Sequence, residues 1–228
     1  PVAHSIWGNP ATVLVGDYLL ARSISIAAQT GRLSIIDVIS RATARMSEGE
    51  IYQLLHRGNV DLTEDEYMDV IGRKTACLIQ AACHSGALLA RAEETQAQAL
   101  ATYGNHLGYA FQLVDDLLDY TADPAILGKA TGTDLREGKM TLPLIYALVR
   151  AGDEDRKLMA SIIGSTEPTA SQFHTMVALV NKYGGIAYTR KEAKAHVNMA
   201  KGQLELFSPS PTRSILEDLA DYVLARQV

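Results

Sequence analysis

Cysteine is scarce in this chain. Cys77 and Cys83 are the only two in 228 residues, too few for a disulfide framework and badly spaced for zinc. They read as two small core thiols in a reducing compartment. No uninterrupted apolar run reaches the roughly 18 residues that a bilayer-spanning helix needs. The longest notable run, Leu142 to Val149, is too short. Strand-like alternation is absent, which removes the strand-borne nucleophile elbow of Ser-His-Asp hydrolases. The histidines (His4, His56, His84, His106, His174 and His196) never fall three or four residues apart. Neither HExxH nor the Glu-x-x-His of a di-iron bundle is therefore present. Net charge is -5, and no basic stripe interleaves with aromatics, which argues against a nucleic-acid partner. The chain opens Pro1-Val2-Ala3-His4 without an initiator Met or signal peptide, and is expected to be part of a longer protein.

What is present is helix. Apolar content of 47% suffices for a core. Residues 11 to 30 carry Val13, Leu14, Leu20, Ile24, Ala27 and Ala28 and predict a buried helix that Gly31 stops. Asp37 opens the next, through Val38, Ala42, Met46 and Leu54, with Glu48, Glu50 and Gln53 as surface polar groups. Thr63 and Glu66 form a capping box before a helix over 64 to 91. Within it Thr75 joins an apolar stripe of Ile71, Ile79, Ala82 and Gly86, and Lys74 sits beside it. Helices follow at 95 to 120, from Thr141 with Pro143 in its first turn, around Arg156 to Ile163, over 169 to 207 broken at Gly184-Gly185, and at 212 to 226. The chain is all-α.

One turn stands out chemically. At about 100° per residue, Gln112, Asp115, Asp116 and Asp119 share an arc of roughly 100° on one helix face. Like charges at such spacing repel by a few tenths of a kcal/mol per pair. A cation would relieve them, and hard oxygen donors without His or Cys suit Mg²⁺, which favours phosphate co-ligands. A solvated acidic stripe is the plainer reading of the same string. Directly downstream lies a loop rich in Gly, Lys and Asp, from Asp123 to Met140. It is not a Walker loop, because five residues separate Gly132 from Gly138-Lys139 and Met140 stands where Ser or Thr belongs.

Taken together, Gly16-Asp17-Tyr18-Leu19-Leu20-Ala21-Arg22, Lys74-Thr75, Phe111-Gln112-x-x-Asp115-Asp116-x-x-Asp119 and Gly128-Lys129-x-x-Gly132-x-Asp134-x-x-x-Gly138-Lys139-x-Thr141-x-Pro143 resemble the trans-polyprenyl diphosphate synthases. The match runs in order through the whole chain. The tail, with Tyr183-Gly184-Gly185-Ile186 and Leu219-Ala220-Asp221-Tyr222-Val223, looks most like the long-chain bacterial octaprenyl and decaprenyl enzymes. The resemblance implies one all-helical polyprenyl synthetase domain over 1-228, a bundle of antiparallel helices around a central cavity, without its N-terminal helices. It also implies a cytoplasmic homodimer that condenses an allylic diphosphate with isopentenyl diphosphate, using Mg²⁺ or Mn²⁺. The product would be a membrane-soluble polyprenyl diphosphate for quinone side chains, made without a membrane span in the protein.

By resemblance, Asp115 and Asp119 hold the metal, Asp116 assists or acts through water, and Asp134 supports them from behind. Lys74, Lys129 and Lys139 contact the diphosphate, while Thr75 and Gln112 face the allylic carbocation. Metals and lysines would stabilise charge on the leaving group, and weakly basic dipoles would stabilise the cation without capturing it. Small residues at Ala21, Ser25 and Ala28 would leave a product tunnel open. The family's first aspartate-rich motif is absent from these residues, so on their own they are expected to be inactive. Two rivals follow. A non-catalytic regulatory subunit would explain the missing motif, and an encoding sequence that continues upstream through a second DDxxD would dispose of it. A class I terpene cyclase also uses one DDxxD, but Asn181 and Asn198 lack the Ser and Glu partners of its second metal motif.

Overall fold

The computed structural model describes residues 2–121, 132–165 and 167–226. Among them there is no strand. The helices are α1 (Ala3–Gln29), α2 (Leu33–Leu55), α3 (Glu64–Ile71), α4 (Cys77–Leu89), α5 (Glu94–Thr121), α6 (Thr133–Arg136), α7 (Leu142–Arg150), α8 (Asp153–Ile163), α9 (Ala170–Lys182), α10 (Gly185–Gln203) and α11 (Pro211–Ala225). A π-helical turn, Gly72–Ala76, joins α3 to α4, so the helix expected over 64 to 91 is one rod with a widened turn. Such turns frequently mark functional sites. This one carries both Lys74 and Thr75.

The rod begins where the capping box put it. Thr63 accepts from the Glu66 amide, and the Glu66 side chain returns to the Thr63 amide. A second box that had gone unread, Thr169 with Gln172, opens α9. α2 begins at Leu33, four residues before Asp37, because Arg32 supplies the extended N-cap.

α5 is the axis of the bundle, with α4, α10, α11 and the π turn packed against it. Close approach requires glycine at Gly108, where an added Cβ would drive into the Ala76 backbone. The main core, with Leu113, Leu142, Leu144, Met159 and Met176 all at 0% exposure, lies between α5 and the helices that follow it. At the break between α9 and α10, Gly184 takes φ 78° and a Cβ on Gly185 would collide with the Pro143 carbonyl, so the pair ties α10 to α7.

The expectation that residues 11 to 30 are buried is corrected. Of α1 only Ala27 is buried, while Val13, Leu14, Leu20 and Ile24 are exposed. α2 is the one described neighbour along which α1 packs extensively, and it covers a single seam. α1 also has the length and average apolarity of a membrane-crossing helix. Asp17 and Arg22 break its uninterrupted run, although the helix as a whole passes.

Candidate active site

The apolar part of α5 ends in the acidic turn, and its three aspartates have three different surroundings. Asp116 is at 0% exposure. Its Oδ2 accepts from Tyr67 Oη of α3 at 2.6 Å, and its Oδ1 accepts from Gln112 Nε2 at 2.8 Å and Lys139 Nζ at 2.7 Å. A buried carboxylate survives only when so surrounded. Asp119 points at the start of α6 and accepts both the Thr133 and Asp134 amides at 3.0 Å. Asp115 faces outward with its side chain 44% exposed.

Lys139 closes the arrangement. Its ammonium also donates to Asp134 Oδ2 at 3.0 Å, so one buried cation joins two carboxylates. Burial alone would lower the basicity of Lys139, but Asp116 and Asp134 outweigh it and hold the amine well above its ordinary range. Asp134 is pushed up to about 7 by burial, against the pull of Lys139 and with help from Asp116 and Asp119. Burial also raises Asp119, opposed by the two amides it accepts. Tyr67 is raised far above the phenol range, first by burial and then by Asp116, so it stays a donor.

The π turn meets this network from the other side. Thr75 Oγ1 donates to Gln112 Oε1 at 2.8 Å, giving a continuous chain from Thr75 through Gln112, Asp116 and Lys139 to Asp134. Lys74 turns the other way, to Glu50 at 3.1 Å and Gln53 at 3.2 Å on α2. The structure thus brings Thr75, Gln112, Asp115, Asp116, Asp119, Asp134 and Lys139 together and sets Lys74 at the rim. Lys129 lies outside the described residues.

Glu50 and Gln53, taken as surface groups in the sequence, engage Lys74. Tyr67 was missed altogether. Its one sequence signal is a hydroxyl-bearing aromatic seven residues before Lys74, two helical turns back on the same face.

Beyond Glu50 an apolar cavity of about 760 Å³ opens between α1, α2 and α4, with Leu20, Met46, Leu78 and Ala82 among its walls. The residues expected to keep a tunnel open, Ala21, Ser25 and Ala28, are exposed instead, while Leu19, Leu20 and Ser23 line it. At about 100° per residue Ala21, Ser25 and Ala28 fall on the side of α1 opposite Leu19 and Ser23. Among the described residues no group of three metal-binding side chains is preformed. The oxygens of Asp115 fit a hard cation that keeps most of its water and takes its other ligands from a phosphate.

An all-α bundle that gathers carboxylates and Lys139 at one turn, with Lys74 at its rim and an apolar cavity opening beyond Glu50, suits substrates with an anionic head and a hydrocarbon tail. A family model described as Polyprenyl synthetase matches residues 1–180. The chain belongs to the polyprenyl synthetase family and is a prenyltransferase. It is 36% identical to the short chain isoprenyl diphosphate synthase of Methanothermobacter thermautotrophicus, covering 100% of this chain and 70% of that protein. It is also 36% identical to the octaprenyl diphosphate synthase of Escherichia coli, covering 98% and 69%. A decaprenyl diphosphate synthase structure from Rhodobacter capsulatus superposes with TM-score 0.93 at 40% identity, covering 100% of this chain and 70% of that one. A polyprenyl synthase from Caulobacter crescentus CB15, complexed with calcium and isoprenyl diphosphate, superposes with TM-score 0.94 at 37% identity, covering 99% and 69%. Family membership removes the terpene cyclase as a reading of this chain.

Proposed function

We propose that this protein condenses an allylic diphosphate with isopentenyl diphosphate, head to tail and trans, to make a long-chain polyprenyl diphosphate for quinone side chains. The observation that carries the reading is the hydrogen-bonded chain from Thr75 to Asp134, which leaves Asp115 facing outward beside it. Asp115 is the principal metal-facing carboxylate of the turn. Asp119 contributes from its place against α6, and Asp116 orients the turn from within. When bound, Mg²⁺ (or Mn²⁺) would neutralise the diphosphate as it leaves.

Lys74 and Lys129 contact that diphosphate. Among the described residues Lys74 has Glu50 and Gln53 to leave behind, at a rim where its side chain is 28% exposed. Lys139 adds its charge from between Asp116 and Asp134, across the turn from Lys74. Thr75 and Gln112 present weakly basic oxygens to the allylic cation, held in place by their mutual hydrogen bond. The hydrocarbon tail runs into the cavity beyond Glu50.

Residues 1-228 form one polyprenyl synthetase domain of a cytoplasmic homodimer. Support for the dimer is the uncovered apolar surface of α1 and α2, where Leu14, Ile24, Leu33 and Leu55 are all exposed. In that dimer the apolar surface of α1 faces protein.

The full-length protein with Mg²⁺, farnesyl diphosphate and labelled isopentenyl diphosphate should yield labelled long-chain product. Asp115→Ala should cut the rate about 100-fold or more, on the scale of other single electrostatic stabilisers. Absence of incorporation, or an undiminished Asp115→Ala rate, would overturn the reading, and chromatography of the product reads its chain length.

A further inference from the structure

Arg226, at the very end of α11, reaches the acidic turn. α11 runs alongside α5 in the same direction. Near its start the Leu216 carbonyl accepts from Tyr103 Oη at 2.8 Å, and at its end the Arg226 guanidinium lies 4.5 Å above the Phe111 ring centre. The ten residues from Leu216 to Arg226 rise about 15 Å, close to the rise of about 12 Å from Tyr103 to Phe111. The helix is therefore laid so that its last side chain arrives beside Asp115.

The contact it makes there is incomplete. Nη2 stands 3.9 Å from Asp115 Oδ1, near enough for attraction but too far for a hydrogen bond. Nη1 is buried and has no acceptor among the described residues. A guanidinium carries five donors in a rigid fork and keeps its charge in proteins. Sealing one of those donors away unpaired costs free energy that a true partner would restore. Phe111 steadies the cation through its ring face without using any donor. The side chain is thus held in position with donors to spare, next to the carboxylate assigned to the metal-bound substrate.

We propose that Arg226 is a diphosphate-binding residue, its free donors taking oxygens of a diphosphate seated at Asp115. This rests on the prenyltransferase reading, which supplies the diphosphate. Planar, bidentate recognition of phosphate is the task for which arginine is suited and lysine is not. A simple counter-ion for Asp115 would close to hydrogen-bond distance and would need no buried free donor.

The test is Arg226→Gln and Arg226→Lys in the full-length enzyme, with each diphosphate varied in turn at fixed Mg²⁺. Arg226→Gln should raise one KM about tenfold or more, the loss expected for a charge-assisted hydrogen bond, and leave kcat within about threefold. Arg226→Lys should recover only part of that loss. Whichever KM moves identifies the allylic or the isopentenyl diphosphate as the ligand. Unchanged KM values together with tighter Mg²⁺ binding would make Arg226 a counter-ion and overturn the proposal. Calorimetric titration with inorganic pyrophosphate provides a second readout, expected to weaken about tenfold in Arg226→Gln. Should that variant fail to fold, Arg226→Lys decides: pyrophosphate affinity equal to wild type refutes the assignment. A wild type that transfers no prenyl group would refute the proposed function instead, and the pyrophosphate titration would still test Arg226.

Discussion

α1 and α5 are nearly the same length, 27 and 28 residues, and α1 is the more apolar of the two. Yet α1 buries one residue and α5 buries fifteen. Apolar character shows that a helix wants cover, whereas burial requires neighbours on several sides. α5 has them, from the π turn and α4 on one side to α10 and α11 on others. The same crowding dehydrates Asp116 and makes its partners Tyr67, Gln112 and Lys139 obligatory. Along α1 no such demand arises, and Asp17 and Arg22 remain exposed without buried partners.

The strongest way to break this contrast is Lys139→Met, which leaves Asp116 and Asp134 buried without their cation. Unpairing a buried charge of this kind costs about 3–5 kcal/mol, read from the denaturant midpoint. A loss below about 1 kcal/mol would show that water reaches the network and that α5 is less sealed than described.

Next in size is the α5–α10 contact. His106 and His196 place their Nδ1 atoms 3.0 Å apart, and the His196 ring stacks on Tyr109. Burial first, and then His106, hold His196 down to about 4, while burial lowers His106. The unfolded chain protonates both near 6.5. Their contribution to stability is therefore complete above about pH 6.5 and is lost as pH falls toward 4, because the unfolded state takes up protons that the fold refuses. After discounting for the partly solvated rings, about 1–2 kcal/mol should disappear between pH 7 and pH 5. His196→Gln should flatten that slope in thermal melts at the two pH values; an unaltered slope would place its origin elsewhere.

The smallest effect belongs to α1. Leu14→Ser should cost at most about 0.5 kcal/mol at protein concentrations low enough to keep the chain monomeric, as for any exposed position. A loss that grows with protein concentration is what the dimer predicts, whereas a loss above about 2 kcal/mol in the monomer would mean that α1 is covered within its own chain.

Much of the site could be read in the sequence because its chemistry repeats at helical spacing. Gln112, Asp115, Asp116 and Asp119 had to share a face, and the Thr63 capping box fixed where α3 begins. What spacing could not convey was direction relative to neighbours. It treated Asp115 and Asp116 alike, although one faces outward and the other is wholly enclosed. It passed over Tyr67 because a single hydroxyl becomes informative only once α3 lies against α5. Histidines 90 residues apart carry no local pattern, and the bundle still pairs them.

By itself the sequence determined the helices, their caps and breaks, and which residue types would carry charge at the acidic turn, since those follow from backbone propensity and a 3.6-residue period. Tertiary structure alone decided which of those charges are hidden, which donors they satisfy, and that the last helix delivers Arg226 to Asp115. Burial and hydrogen bonding between distant segments depend on how helices pack, and no local pattern encodes the distance between two residues that meet only after folding.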